Sequence, residues 1–248
     1  MTSIVDRFSS FLQNPTDLII LIFVLCLSLS FHEFSHAWVA NRLGDDTAAL
    51  QGRLTLNPLK HLDPVGSIVF LIAGIGWARP VPINPARFSR EGTMKSGMMK
   101  VSLAGPLSNL LLAVIASFLF FVVYTIAILT GSITLAGPLT FTGTMSPVLV
   151  FCKNLTGSLY TANIGLALFN LLPVPPLDGF KIFGSMLPNS IYYKILQYER
   201  YIGLVFLFLI MFGQGAIGTI LNTIRVPFDY VINTPMQFLF SQLWKLIG

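Results

Sequence analysis

The segment His32-Glu33-Phe34-Ser35-His36 puts two imidazoles and a carboxylate within little more than one helical turn. On a helix, residues four apart share a face, with Cβ atoms about 5–6 Å apart. Two imidazole nitrogens at that spacing can reach one zinc ion at about 2.0–2.1 Å. Glu33 flanks the same face, where a carboxylate can contact a water in the fourth position and act as general base. The chemistry implied is metal-assisted hydrolysis. The plainer reading is a polar helix end at a membrane surface, but ionisable residues in an apolar span are costly and mark functional sites.

A catalytic zinc takes three protein ligands, so one more must come from elsewhere. His61, beside Lys60 and Asp63, reads as a surface residue, and Asp45 and Asp46, after Gly44, read as solvated. Asp178 is the strongest candidate, because it follows an apolar segment and has no adjacent cation to pair with until Lys181. It could also be an ordinary Asp-Gly turn residue. Pro173, Pro175 and Pro176 just before it cannot continue a helix. Irregular backbone at membrane depth is tolerated only where it is buried in protein or lines a wet cavity, and hydrolysis needs water.

The elements that must position these residues are membrane helices. The chain has 248 residues, 54% hydrophobic and 10% charged, against about 25% charged in soluble proteins. That balance predicts an all-α, polytopic membrane bundle of about five to six inserted segments. It forms a single domain over residues 1–248, with a catalytic core of about 17–185 and C-terminal helices of about 200–248. Residues 17–40 and 98–129 are long enough to span. Residues 65–75 are too short and read as re-entrant. Residues 159–172 and 201–221 supply further segments. The tail, 226–247, reads either as another span or as an interfacial helix with Trp244 and Lys245 at headgroup level. The first apolar run is not expected to be a cleaved leader, since a cut after Ala40 would place Trp38 where a small residue is wanted.

The net charge of +5 comes from loops. Arg79, Arg87, Arg90, Lys95 and Lys100 face one acid, Glu91, and Lys181, Lys194 and Arg200 face Glu199, whereas residues 130–157 hold only Lys153. The positive-inside rule puts the first two loops in the cytoplasm. His32, His36 and Asp178 then share the cytoplasmic side. No basic helix or aromatic platform suggests nucleic acid, and Cys26 and Cys152 do not suggest a disulfide framework.

Four stretches together carry a resemblance: Phe31-His-Glu-Phe-Ser-His36, Trp77-Ala-Arg-Pro-Val-Pro-Ile-Asn-Pro85, Ala104-Gly-Pro-Leu-Ser-Asn109 and Asn170-Leu-Leu-Pro-Val-Pro-Pro-Leu-Asp-Gly179. Across residues 17–185 the chain resembles the site-2 protease family of intramembrane metalloproteases, in a short form without PDZ or CBS domains. The resemblance implies that His32, His36 and Asp178 bind one zinc ion per chain and that Glu33 activates water. It implies a transmembrane protein substrate, cut near the cytosolic side of the lipid bilayer, and fits a prokaryotic inner membrane. Asn170 matches a position thought to bind substrate or steady the reacting carbonyl, and Asn109 is a weaker match for such a role. Phe180 departs from the small residue of many relatives. A re-entrant or short β-containing loop is expected between the first two motif helices. Its prolines Pro80, Pro82 and Pro85 favour extended backbone, which could pair with an unwound substrate.

Two other classes fit parts of the sequence. A metal transporter or metal-binding membrane protein would need a polar path through the central spans, and no line of acids is present. An inactive scaffold would ordinarily lack Glu33 or a ligand. A prenyl-protein protease would take its third ligand from a later glutamate, and only Glu91 and Glu199 follow.

Overall fold

The computed structural model describes residues 13–73, 76–137, 139–212 and 214–247. The order is α1 (Pro15–Arg42), α2 (Thr47–Leu50), α3 (Pro64–Ala73), α4 (Met94–Leu129), β1 (Ile133–Gly137), β2 (Thr140–Gly143), α5 (Pro147–Asn170), α6 (Asp178–Gly184), α7 (Asn189–Gln197), α8 (Glu199–Phe212) and α9 (Gln214–Ile247). Pro15 and Pro147 open their helices, where a missing N–H costs nothing. The Thr93 and Ser146 side chains accept the N–H groups of Ser96 and Leu149, which caps α4 and α5.

The core is a three-helix contact. Along α1 every fourth residue is buried: Ile20, Val24, Ser28, His32, His36 and Ala40. That stripe meets Ala113 and Ala116 of α4 and Leu159, Tyr160, Ile164 and Leu168 of α5. Small residues on the facing helices let their backbones approach closely, which places the histidines against α4. Among the described residues, α1 and α4 are the two helices long and apolar enough to cross a membrane.

Helix α9 is laid across α4 and α5. Tyr160 Oη donates to Asp229 Oδ1 at 2.5 Å, Asn233 Nδ2 donates to Tyr160 Oη at 2.9 Å, and Ser117 Oγ donates to Asn233 Oδ1 at 2.8 Å. Trp244 is 1% exposed, packs with Phe121 and Phe240, and donates from Nε1 to Thr125 Oγ1 at 2.8 Å. The tail is thus helical, and Trp244 is not at an exposed headgroup position: its indole N–H finds a partner inside the bundle.

The loop between the first two motif helices, expected to be re-entrant or β-containing, holds the short apolar helix α3. The two-stranded antiparallel sheet lies between α4 and α5, not between the motif helices. The β structure in the described part of that earlier loop is one isolated bridge, Leu62 to Ala78. Three prolines in residues 80–85 withhold the N–H groups that a ladder needs.

Candidate active site

His32 and His36 sit in the C-terminal half of α1, and Asp178 is the first residue of α6. Two glycines let these elements close on one point. A Cβ at Gly105 of α4 would strike the rings of His32 and His36, and one at Gly179 would strike the carbonyls of Leu171 and Leu172. Each glycine is there for close approach.

The ligand-type atoms converge. His32 Nε2 and His36 Nε2 are 3.0 Å apart, and each is 3.2 Å from Asp178 Oδ2. The three side chains are between 7% and 12% exposed. Four ligands at about 2.0–2.1 Å in a tetrahedron stand about 3.3–3.4 Å apart, so the triangle has the dimensions of one tetrahedral face.

The hydrogen bonds behind the rings fix what they offer. His36 Nδ1 lies 2.7 Å from the Val101 carbonyl, which can only accept. His32 Nδ1 lies 2.7 Å from Asn109 Oδ1. The amide orientation of Asn109 is set because its Nδ2 faces the Ser28 carbonyl at 3.2 Å and Asn163 Oδ1 at 2.7 Å. Both Nδ1 atoms therefore carry the proton. With neutral rings, both Nε2 lone pairs face each other and a carboxylate oxygen, three acceptors with no donor among them. This arrangement fits a cation, and its nitrogen and oxygen donors suit zinc.

Glu33 is 8% exposed, and its Oε2 accepts the Val81 N–H at 2.9 Å. The second oxygen is left to exchange a proton. The loop that supplies Val81 is itself clamped. Arg53 is buried, and its guanidinium donates to the Arg79 carbonyl at 2.6 Å and the Pro80 carbonyl at 3.3 Å. Arg79 N–H reaches the His61 carbonyl at 2.8 Å, and Asn84 N–H reaches Asp45 Oδ2 at 2.6 Å. Burial, and then the Arg79 charge, lower the pKa of Arg53, while the Glu33 charge opposes them; the group stays cationic.

Several sequence expectations change here. His61 is fully buried rather than at the surface, with Nε2 2.7 Å from the Thr55 carbonyl, and it is not part of the metal-ligating cluster. Asp45 is fully buried, not solvated, because it anchors backbone N–H groups of α2 and of the proline loop. Asp46 stays about half exposed, in keeping with a solvated residue, and pairs with Arg87 at 2.5 Å. Asn170 Nδ2 donates to Leu166 in its own helix at 2.9 Å and shares no hydrogen bond with the cluster. Asn109 is 0% exposed, and its carbonyl and both amide hydrogens are taken up by His32, Ser28 and Asn163. It has nothing left for a substrate, and it orients an imidazole instead. Phe180 stacks on Tyr192, away from the cluster.

Residues that sequence reasoning missed are Ser28, Arg53, Val81, Val101 and Asn163. Buried amides on apolar helices were the one available signal, since Asn163 interrupts an otherwise apolar stretch. Replacing Asn109 with Leu should weaken zinc binding by about 10–100-fold, the usual effect of losing a ligand's hydrogen-bond partner. Competition against a zinc chelator reads this, and unchanged affinity would contradict the orienting role.

The model of peptidase family M50 matches residues 20–212. The chain belongs to peptidase family M50. This M50 peptidase is 42% identical over 210 residues to the "Putative zinc metalloprotease YwhC" of Bacillus subtilis, covering 83% of the chain and 87% of that relative. It is 28% identical over 212 residues to the similarly named Rip2 of Mycobacterium tuberculosis, covering 82% and 70%. No solved structure matches it.

Proposed function

We propose that this M50 member, a zinc metalloprotease, hydrolyses peptide bonds of transmembrane proteins inside the bilayer, near its cytoplasmic face. The observation that carries the reading is the enclosed His32–His36–Asp178 triangle, with both histidines on a helix apolar enough to span. His32 and His36 stand ten and six residues before the end of α1, about 15 and 9 Å along the helix. That depth lies within a hydrocarbon core about 30 Å thick.

Support for a multi-pass protein comes from the outer surface. Ile22 and Phe23 on α1, Leu107, Leu111 and Phe118 on α4, and Leu204, Val205 and Phe208 on α8 are all exposed. Water-soluble monomers rarely expose apolar area on this scale. We assign five to six inserted segments to a single domain over residues 1–248, in a prokaryotic inner membrane. The site lies toward the basic end of the bundle, where Arg79, Arg87, Arg90 and Lys95 precede or open α4, which supports a cytoplasmic orientation.

His32, His36 and Asp178 hold one zinc ion in this reading. When bound, the ion supplies Lewis-acid polarisation of the scissile carbonyl and acidifies the attacking water. Glu33 takes the water's proton on the oxygen not held by Val81, then returns it to the leaving amine. The Val81 bond keeps that carboxylate aimed. Pairing of substrate with the proline loop is confined to Ile83 and its surroundings, because the Val81 N–H and the carbonyls of Arg79 and Pro80 are already engaged.

The test is a single-spanning reporter in proteoliposomes, compared with the same cleavage sequence as a soluble peptide. At least tenfold preference for the embedded reporter is expected. Equal cleavage of both would remove the intramembrane assignment.

A further inference from the structure

A cavity of about 440 Å³ adjoins the active-site elements and takes no part in the hydrolytic geometry. Its α1 wall is Ile22, Leu25, Cys26 and Leu29. These stand eleven, eight, seven and four residues before Glu33, the spacing of one helical face. The cavity therefore starts one turn from Glu33 and runs away from it toward the start of α1.

Two of the other walls belong to segments that build the site. Trp77 and Ala78 lie just ahead of Val81, whose N–H holds Glu33. Leu166 and Phe169 form the last turn of α5 before Asn170. The lining is apolar in effect, because the Ser67 hydroxyl in it already donates to the Asp63 carbonyl at 2.7 Å. Ile22 and Trp77 are each 46% exposed, so the cavity opens sideways at the protein's outer surface.

Size restricts the occupant. From Ile22 to Leu29 the helix rises about 10 Å. An intact helix about 10 Å across sweeps roughly 800 Å³ over that length and would stand partly outside the opening. An extended chain covers the same length with about three residues.

We propose that this cavity binds an unwound, apolar stretch of about three residues from the substrate's membrane-spanning segment. That stretch lies beside the scissile bond, on the side facing the start of α1. The inference rests on the intramembrane reading above. It makes the cavity the determinant of which spanning segments are cut: large apolar side chains fill it and small ones leave it empty.

Two measurements test this. Ser67→Phe places a ring in the cavity. Reporters carrying Leu or Ala at the three flanking positions are cleaved in proteoliposomes by the wild type and the variant. Cleavage of the Leu reporter should fall at least tenfold more than that of the Ala reporter, at unchanged zinc content. Second, Glu33→Gln with Cys152→Ser leaves Cys26 as the one cysteine of the chain. A cysteine walked along the reporter should form a disulfide with Cys26 only within about three residues on the stated side of the cut. Three results overturn the proposal: equal loss on both reporters, cross-links spread along the whole reporter or absent at those positions, or release of an acyl lipid by Ser67→Phe with both reporters cleaved as before. If the wild type cleaves no spanning reporter at all, the functional reading fails instead, and the cross-linking pattern still reports on the cavity.

Discussion

Glu33→Gln is expected to lower peptide cleavage by about 10³-fold or more while zinc content stays at the wild-type level. The size follows from general-base catalysis, which contributes about 10²–10⁴-fold. The substitution keeps shape and volume, and the Gln carbonyl can still accept the Val81 N–H that Glu33 holds at 2.9 Å. What disappears is the ability to take a proton, because the replacing group is a neutral amide. Zinc remains because Glu33 is not one of the three clustered ligand-type groups. Cleavage of a spanning reporter and elemental analysis of the same preparation check both halves. Full activity would remove Glu33 from the mechanism, and loss of zinc would make it a ligand.

Asp178→Asn should act at the earlier step. The carboxylate is 3.2 Å from each Nε2, and each imidazole binds a metal as a neutral ligand, with its Nδ1 proton directed at Asn109 or Val101. Asp178 is therefore the only anion in the triangle. Without it, two neutral rings and an amide must hold a dication in a nearly enclosed space. Losing a hydrogen-bond partner of a ligand costs about 10–100-fold in affinity, so losing the charged ligand should cost more than about 100-fold, with activity falling in step. The side-chain volume hardly changes, so α6 keeps its place against Leu171 and Leu172. Chelator titration with elemental analysis reads the affinity. His36→Ala should behave in the same way, and zinc retained in both variants would contradict the proposed ligand set.

The contrast between these variants follows from features of unequal legibility in the sequence. The spacing of His32 and His36 is a local helical fact, and a four-residue interval suffices to put both rings on one face. The convergence of Asp178 with them could be anticipated from charge asymmetry and span counting, since both segments end on one side. The expected long helices α1 and α4 are present, whereas α5 begins at Pro147, in what the charge pattern alone marks as a loop, and the expected segment 201–221 is divided between α8 and α9.

What the sequence did not reveal consists mainly of long-range contacts to backbone or amide groups. The Val101 carbonyl and Val81 N–H are main-chain atoms, and any residue type supplies them. An amide in an apolar helix has many uses, so the sequence alone leaves Asn109 open as a substrate contact; only its three partners decide among them. His61 and Asp45 sit in polar loops that look solvated. The loops fold back over the end of α1, and Arg53 and Asp45 bind their backbones, so both residues become buried. Trp244 and Lys245 look like an interfacial pair, but Trp244 turns inward against Phe121 and Phe240. The cavity leaves no local trace, because its walls come from five separate segments.

The most direct test of the account is to locate the cut itself. A single-spanning substrate captured by the Glu33→Gln variant is incubated with wild-type protein in proteoliposomes, and the new termini are mapped by mass spectrometry. The account predicts one cut inside the spanning segment, within about 15 Å of its cytoplasmic end, matching the depth of His32 and His36 along α1. Cuts confined to the flanks outside the bilayer, or cuts made equally well by the Glu33→Gln protein, would contradict it.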